Sequence, residues 1–252
     1  MWKRHAEGGA TGLGTSPWST TRRRPRPALA FGAGTADSRS LSSAFSISSG
    51  LFSFVLAFTI GQLYTNFTRA NGDAKQEATV LAQIIRTSAG LPPALAQKIR
   101  SESLVYANDV RLREWPLMKH GGASVQAWHD VDHMYATLQS DKSASSNPFY
   151  GQTLARLNDL VVARRVRLDD ANLSLPVVFQ VLLELGAVLA LSTTFYFKPF
   201  GEGVQVAMIG AAATLIGTAM LVALVLDYPY SGSIAVSSAP FKAASLLLLA
   251  GG

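Results

Sequence analysis

The sequence predicts an all-α integral membrane protein with three transmembrane helices and a helical aqueous module between the first and second. Three stretches carry that expectation. Leu175 to Phe197 is an apolar run with one charged residue, Glu184. Val204 to Leu226 is a second run with no charge at all. Each is long enough to cross ~30 Å of hydrocarbon at ~1.5 Å of rise per residue. The third is the charge-free stretch from Ser40 to Thr68, diluted by serines but apolar from Phe45 to Tyr64.

Composition agrees with a mixed membrane and aqueous chain. Hydrophobic residues make up 48% and charged residues 15% of the 252 positions, with a mean hydropathy of +0.22. Soluble domains carry about 25% charge. The net charge is +6, and +5 of it lies in residues 1–40, where seven Lys and Arg face Glu7 and Asp37. The basic balance therefore belongs to a tail. An orientation signal beside a membrane span accounts for it more simply than nucleic-acid binding does. The chain has no cysteine, which excludes disulfides, thiol chemistry and cysteine metal sites.

Taken in order, residues 1–40 are rich in Gly, Ser, Thr, Pro and Arg and lack apolar periodicity, so a disordered basic tail is expected. Residues 41–65 form the first span, and serines there can bond back to carbonyls one turn earlier. Residues 66–174 are the aqueous module. Ala70, Ala74, Ala78, Leu81, Ile84 and Ile85 recur at helical spacing, which predicts that the first span runs out of the bilayer as one long helix until Leu91-Pro92-Pro93. A second helix is expected from Ala94 to Trp115, stopped by Pro116. A third covers Val125 to Leu138, and a fourth Tyr150 to Asp170. Residues 175–197 and 204–226 are the second and third spans, joined by a tight turn, and 227–252 is a short C-terminal tail.

Among candidate site residues, Glu184 lies near the bilayer midplane, where an ionised carboxylate must face protein or water. It reads either as a pore or proton-relay group, or as a protonated acid bonded to Ser192, Thr193 or another span. Asp227 ends the third span and opposes the helix dipole there, so a cation should hold it; Arg164, Arg165 or Arg167 would serve, as a structural clamp or as part of an ion contact. Those three arginines form a basic collar before the second span, suited to lipid phosphates, salt bridges or an anion-attracting vestibule. His129 and His133, four apart with His120 upstream, have the spacing of a metal pair but lack an assured third ligand. A solvated polar face is the preferred reading. No nucleophile with a base, no phosphate loop and no convincing metal set is present, so no catalytic, cofactor or metal residues are assigned and a non-enzyme is expected.

Four stretches carry a family resemblance. They are Phe58 through Glu77, Tyr106 with Glu114-Trp115-Pro116, the run LNDLVVARRVRL from Leu157 to Leu168, and DYPYSGSIAVSSAPF from Asp227 to Phe241. Together they resemble the bestrophin-like domain family of bacterial and plant membrane proteins, over roughly residues 45 to 245. The resemblance departs at the start, where members usually carry an additional membrane helix and this chain has its Arg-rich tail. Bestrophins are oligomeric anion channels, so the resemblance implies a homo-oligomer in the lipid bilayer, inorganic anions as partners and the plasma (inner) membrane as location. A structural or sensory membrane protein whose helical module binds a partner is the alternative, and a membrane-bound hydrolase using the histidine pair a distant third. The tail argues for a module outside the cell; the resemblance and the basic residues flanking the module favour a cytoplasmic one, which is the reading adopted.

Overall fold

The computed structural model describes residues 35–194, 201–232 and 234–251, with the side chains of 35–41, 44, 142 and 143 left aside. The chain divides into two units, Met1–Ser42 and Ser43–Gly252. In the first, the described part is helical backbone from Thr35. The expected disordered tail lies mostly outside the described residues, and residues 35–40, assigned to it above, are helix instead. The second unit holds everything that follows. Among the described residues every regular element is helical.

The long helix α1, Thr35–Ser88, runs unbroken through the first span into the aqueous module. Its part within the second unit, from Ser43 on, is roughly 70 Å long at about 1.5 Å per residue, far more than a bilayer needs. Its outer half enters the core through Ala70, Ala74, Ala78, Leu81 and Ile85, all buried. The alanines repeat every fourth residue and let neighbouring helices approach closely. Past Leu91 and Pro92 the chain turns into α2, Pro93–Asp109, with proline at its first turn, where the missing N–H costs nothing.

Pro116 does not end this helix. The ladder loosens into a π-helical turn, Val110–Glu114, and continues as α3, Trp115–Met118, with Pro116 in its first turn. A proline cannot join an α-helical ladder, and a wide turn just before it relieves that conflict. Val110, Glu114, Trp115 and Met118 are all buried as a result. Helix α4, Val125–Ser140, is capped by Ser124, whose Oγ accepts from the Ala127 N–H at 3.3 Å. A 3₁₀ turn at Lys142–Ser146 leads to α5, Pro148–Asn172, capped by Asn147. Asn147 also donates to the Gly90 carbonyl at 2.9 Å. Gly90 leaves room for the Phe149 ring, which a Cβ there would run into.

The membrane hairpin is α6, Val177–Thr194, and α7, Glu202–Asp227; part of the turn expected between them lies outside the described residues. Gly186 brings α6 against α1, since a Cβ at that position would stand 2.5 Å from the Phe52 ring. Hydroxyls inside the spans bond back along their own helices, Thr59 to Val55, Ser192 to Val188 and Thr214 to Gly210. In the most apolar windows of the three spanning helices only 17%, 11% and 11% of residues are buried. Such surfaces are stable only against hydrocarbon or other helices.

The C-terminal segment is not a loose tail. It folds as a 3₁₀ turn, Ala239–Phe241, and helix α8, Ala243–Leu249. Tyr230, Val236, Phe241 and Leu246 join the same core as α1, α2, α4 and α5. Trp115 packs edge-on against Tyr230 at 5.5 Å and against Phe241 at 5.7 Å, and its indole N–H donates to the Val236 carbonyl at 3.1 Å. Arg86 closes the end of α8 by donating from Nε to the Ala250 carbonyl at 3.0 Å.

Candidate functional site

Three places hold chemistry: a buried ion network inside the aqueous module, a cavity where that module meets the membrane, and a lone carboxylate within the second span.

The network is built from α1, the π turn and α5. Arg167 donates through Nε to Glu77 Oε2 at 2.5 Å and through Nη2 to Glu114 Oε1 at 2.5 Å. Arg164 pairs with Glu114 and donates to the Ser124 carbonyl at 2.9 Å. The second oxygen of Glu114 accepts the Ser124 N–H at 3.0 Å, so the network also fixes the start of α4. Tyr106 donates to Glu77 Oε1 at 2.5 Å. All four charged side chains are fully buried. The Arg164 guanidinium lies over the Trp128 ring, 4.1 Å from its centroid, and its buried Nη1 has no hydrogen-bond partner.

Titration follows from this enclosure. Burial alone would raise the Glu114 carboxyl, but hydrogen bonds from Arg164 and the Arg167 and Arg164 charges outweigh it, and Glu114 stays below its ordinary value. Burial and the adjacent Glu77 charge push the Tyr106 hydroxyl well up. The network is closed, with two buried arginines matched by two buried glutamates.

Of the readings given for the basic collar, salt bridges describe Arg164 and Arg167, and these are buried inside the module. Arg164 and Arg167 touch neither lipid nor water; they are locked between α5, α1 and the π turn. Of the three arginines only Arg165 is exposed, lying 5.8 Å from the Trp128 ring. None of them clamps Asp227. Asp227 instead accepts the Leu175 N–H at 2.6 Å and approaches the Gln180 amide at 3.5 Å, tying the end of α7 to the start of α6. The dipole conflict at its own helix is offset by the free backbone donors of the neighbouring one.

The cavity, about 90 Å³, lies between Leu63, Asn66 and Arg69 of α1, Asp170 at the end of α5, Leu175 and Asp227. A larger apolar groove of about 460 Å³ runs between the spans, lined by Phe52, Leu56, Ile60, Ala190, Leu215 and Ile216. Glu184 is exposed on α6, and the hydroxyls of Ser192 and Thr193, offered above as partners, bond to the carbonyls of Val188 and Ala190. His129 and His133 are exposed on α4, and His133 Nδ1 meets Glu102 at 2.9 Å. Among the described residues no three His, Asp or Glu side chains form a set able to hold a metal ion.

Fold and hairpin together define a helical integral membrane protein with its charged residues gathered in an aqueous module. The bestrophin-like domain model matches residues 41–241, and the chain belongs to that family. Among solved structures it is similar to bacterial bestrophin homologues from Klebsiella pneumoniae. A tryptophan-to-alanine variant is 14% identical, with a TM-score of 0.69 over 84% of this chain and 86% of the other. A tyrosine-to-alanine variant is 13% identical, with a TM-score of 0.70 over 84% and 88%. At such identity the likeness shows a shared fold. No curated protein matches the chain.

The four stretches that carry the resemblance converge in the structure. Glu77, Tyr106, Glu114, Trp115, Arg164, Arg167, Tyr230 and Phe241 form one connected cluster, with the Arg167 guanidinium 5.3 Å from the Trp115 ring and 5.7 Å from the Phe241 ring. The sequence reading singled out the arginines but missed the glutamates that hold them. Their presence inside the matching stretches was the available signal.

Proposed function

We propose that the chain assembles with copies of itself in the plasma (inner) membrane and conducts ions, anions by the family resemblance. The observation that carries this reading is Glu184. It is the one charged residue of α6, it stands exposed, and no side chain of its own subunit pairs with it among the described residues. A carboxylate at that depth costs several kcal/mol in lipid, so water or another subunit must meet it. The scant burial of all three spans supports the same conclusion, because one subunit leaves its membrane helices largely unpacked. Membership of the bestrophin-like family supports the channel class. A cytoplasmic aqueous module fits the basic residues that flank it.

Flux of chloride and of small cations through liposomes holding the purified protein tests the proposal. Selective flux that Glu184→Ala abolishes supports it. A folded oligomer with no flux removes it in favour of a structural or sensory role for the aqueous module.

A further inference from the structure

Helices α1 and α5 run side by side where the aqueous module meets the membrane, and their charged residues meet as a ladder. Arg69, Asp73 and Glu77 follow one another at one-turn spacing on α1. Arg164, Arg167 and Asp170 follow at three-residue spacing on α5. Glu77 meets Arg167, and Arg69 Nη2 meets Asp170 Oδ1 at 2.9 Å. Asp73 breaks the alternation: it stands one turn from Arg69, which meets Asp170, and one turn from Glu77, which meets Arg167, so it lies on the face of α1 turned to α5, beside a like charge. Asp170 is buried, only 4% exposed, and its second oxygen is buried with no donor. Two facing carboxylates, one with an orphaned buried oxygen, are satisfied by a single proton between them.

We propose that Asp73 and Asp170 share one proton, forming a latch that ties α1 to α5 at the membrane face of the aqueous module and opens as pH rises. The charged and titratable groups around Asp170 come from α1, the C-terminal segment, α7 and α5 itself. From α1, Arg69 favours its ionised form, and Asp73 opposes it. Tyr230, from the C-terminal segment, lies close enough to interact with both aspartates. Asp227, at the end of α7, lines the same cavity as Asp170. On α5 itself, Arg167 is already held by Glu77 and Glu114, and Asp169 is exposed. Burial and the hydrogen bond with Asp73 together outweigh Arg69 and push Asp170 up to about 6.

The sign follows from linkage. A carboxyl whose folded value is raised holds its proton more tightly in the folded state, so its contribution is present at low pH and is lost as pH rises through about 6. The latch joins the extension of the first span to the helix that leads into α6, so opening it loosens the module at its membrane contact. This does not depend on ion conduction.

Infrared difference spectra of the full chain in detergent, recorded one unit either side of about pH 6, read the shared proton directly. The wild type should lose a protonated-carboxyl C=O band on going to the higher pH, and both Asp73→Asn and Asp170→Asn should abolish that loss. Melting temperature over the same window is the second readout. It should fall with rising pH in the wild type and stay flat in Asp73→Asn, where the half-buried position accepts an amide that donates to Asp170. A band change that survives in both variants, or a wild-type melting profile that Asp73→Asn leaves unaltered, overturns the latch.

Discussion

Arg167 of α5 holds Glu77 of α1 in a two-pronged ion pair, Nε to Oε2 at 2.5 Å and Nη2 to Oε1 at 3.2 Å, with both side chains fully buried. The same guanidinium reaches Glu114 of the π turn, so one side chain joins three parts of the chain that are far apart in sequence. A planar fork with five donors can do this, and an ammonium cannot. Arg167→Ala should cost about 3–5 kcal/mol, since it leaves two buried carboxylates short of positive charge. Arg167→Lys should recover only part of that loss. Thermal unfolding in detergent gives the comparison.

Acid should attack the network through Glu114. Its folded value is depressed, so its contribution is fully present above the unfolded value of about 4.5 and is lost as pH falls through the lower folded value. Glu114→Gln should lower stability at neutral pH, because Arg164 and Arg167 lose charge compensation. It should also flatten the decline below about pH 4.5. Melting curves across this range, recorded for both proteins, check the two effects together.

Asp227 is expected to matter at the membrane hairpin through its bond to the Leu175 N–H. Asp227→Ala removes an acceptor for a backbone donor at the start of α6 and should cost about 1 kcal/mol, as the loss of a helix cap does. Asp227→Asn keeps an acceptor oxygen and should cost less. Limited proteolysis at the link between α5 and α6, residues 173–176, should quicken in the alanine variant and change little in the asparagine variant.

Gly186 sets the distance between α6 and α1. A side chain there meets the Phe52 ring, so Gly186→Val should destabilise the protein by about 1–3 kcal/mol through overpacking. Phe52→Ala should relieve much of that cost when combined with it. The double-mutant cycle, measured by thermal unfolding, should show coupling between the two positions.

Hydropathy alone located the three spans, and helical periodicity correctly joined the first span to the module as one helix. Both signals are local. Pro116 misled because a proline reads as a helix stop, whereas the π turn before it lets the chain continue; no residue pattern announces a π turn. The C-terminal segment read as a tail because its core contacts, Tyr230, Phe241 and Leu246, are too sparse for periodicity and become apolar anchors only in three dimensions. The arginines of α5 looked like a surface collar because charge near a membrane is usually solvated. Their partners, Glu77 and Glu114, sit 90 and 53 residues from Arg167, a separation no spacing argument bridges. Asp73 was hidden for the same reason: its like-charged neighbour is on another helix.

The central claim is that the sparsely buried spans and the exposed Glu184 of one subunit are completed by other copies. The mass of the purified full-length particle in detergent, by light scattering with the detergent contribution subtracted, tests this most directly. Several chains per particle is the result expected, because one subunit leaves its membrane helices largely unburied. A well-folded, helical monomer of 26.8 kDa would contradict it.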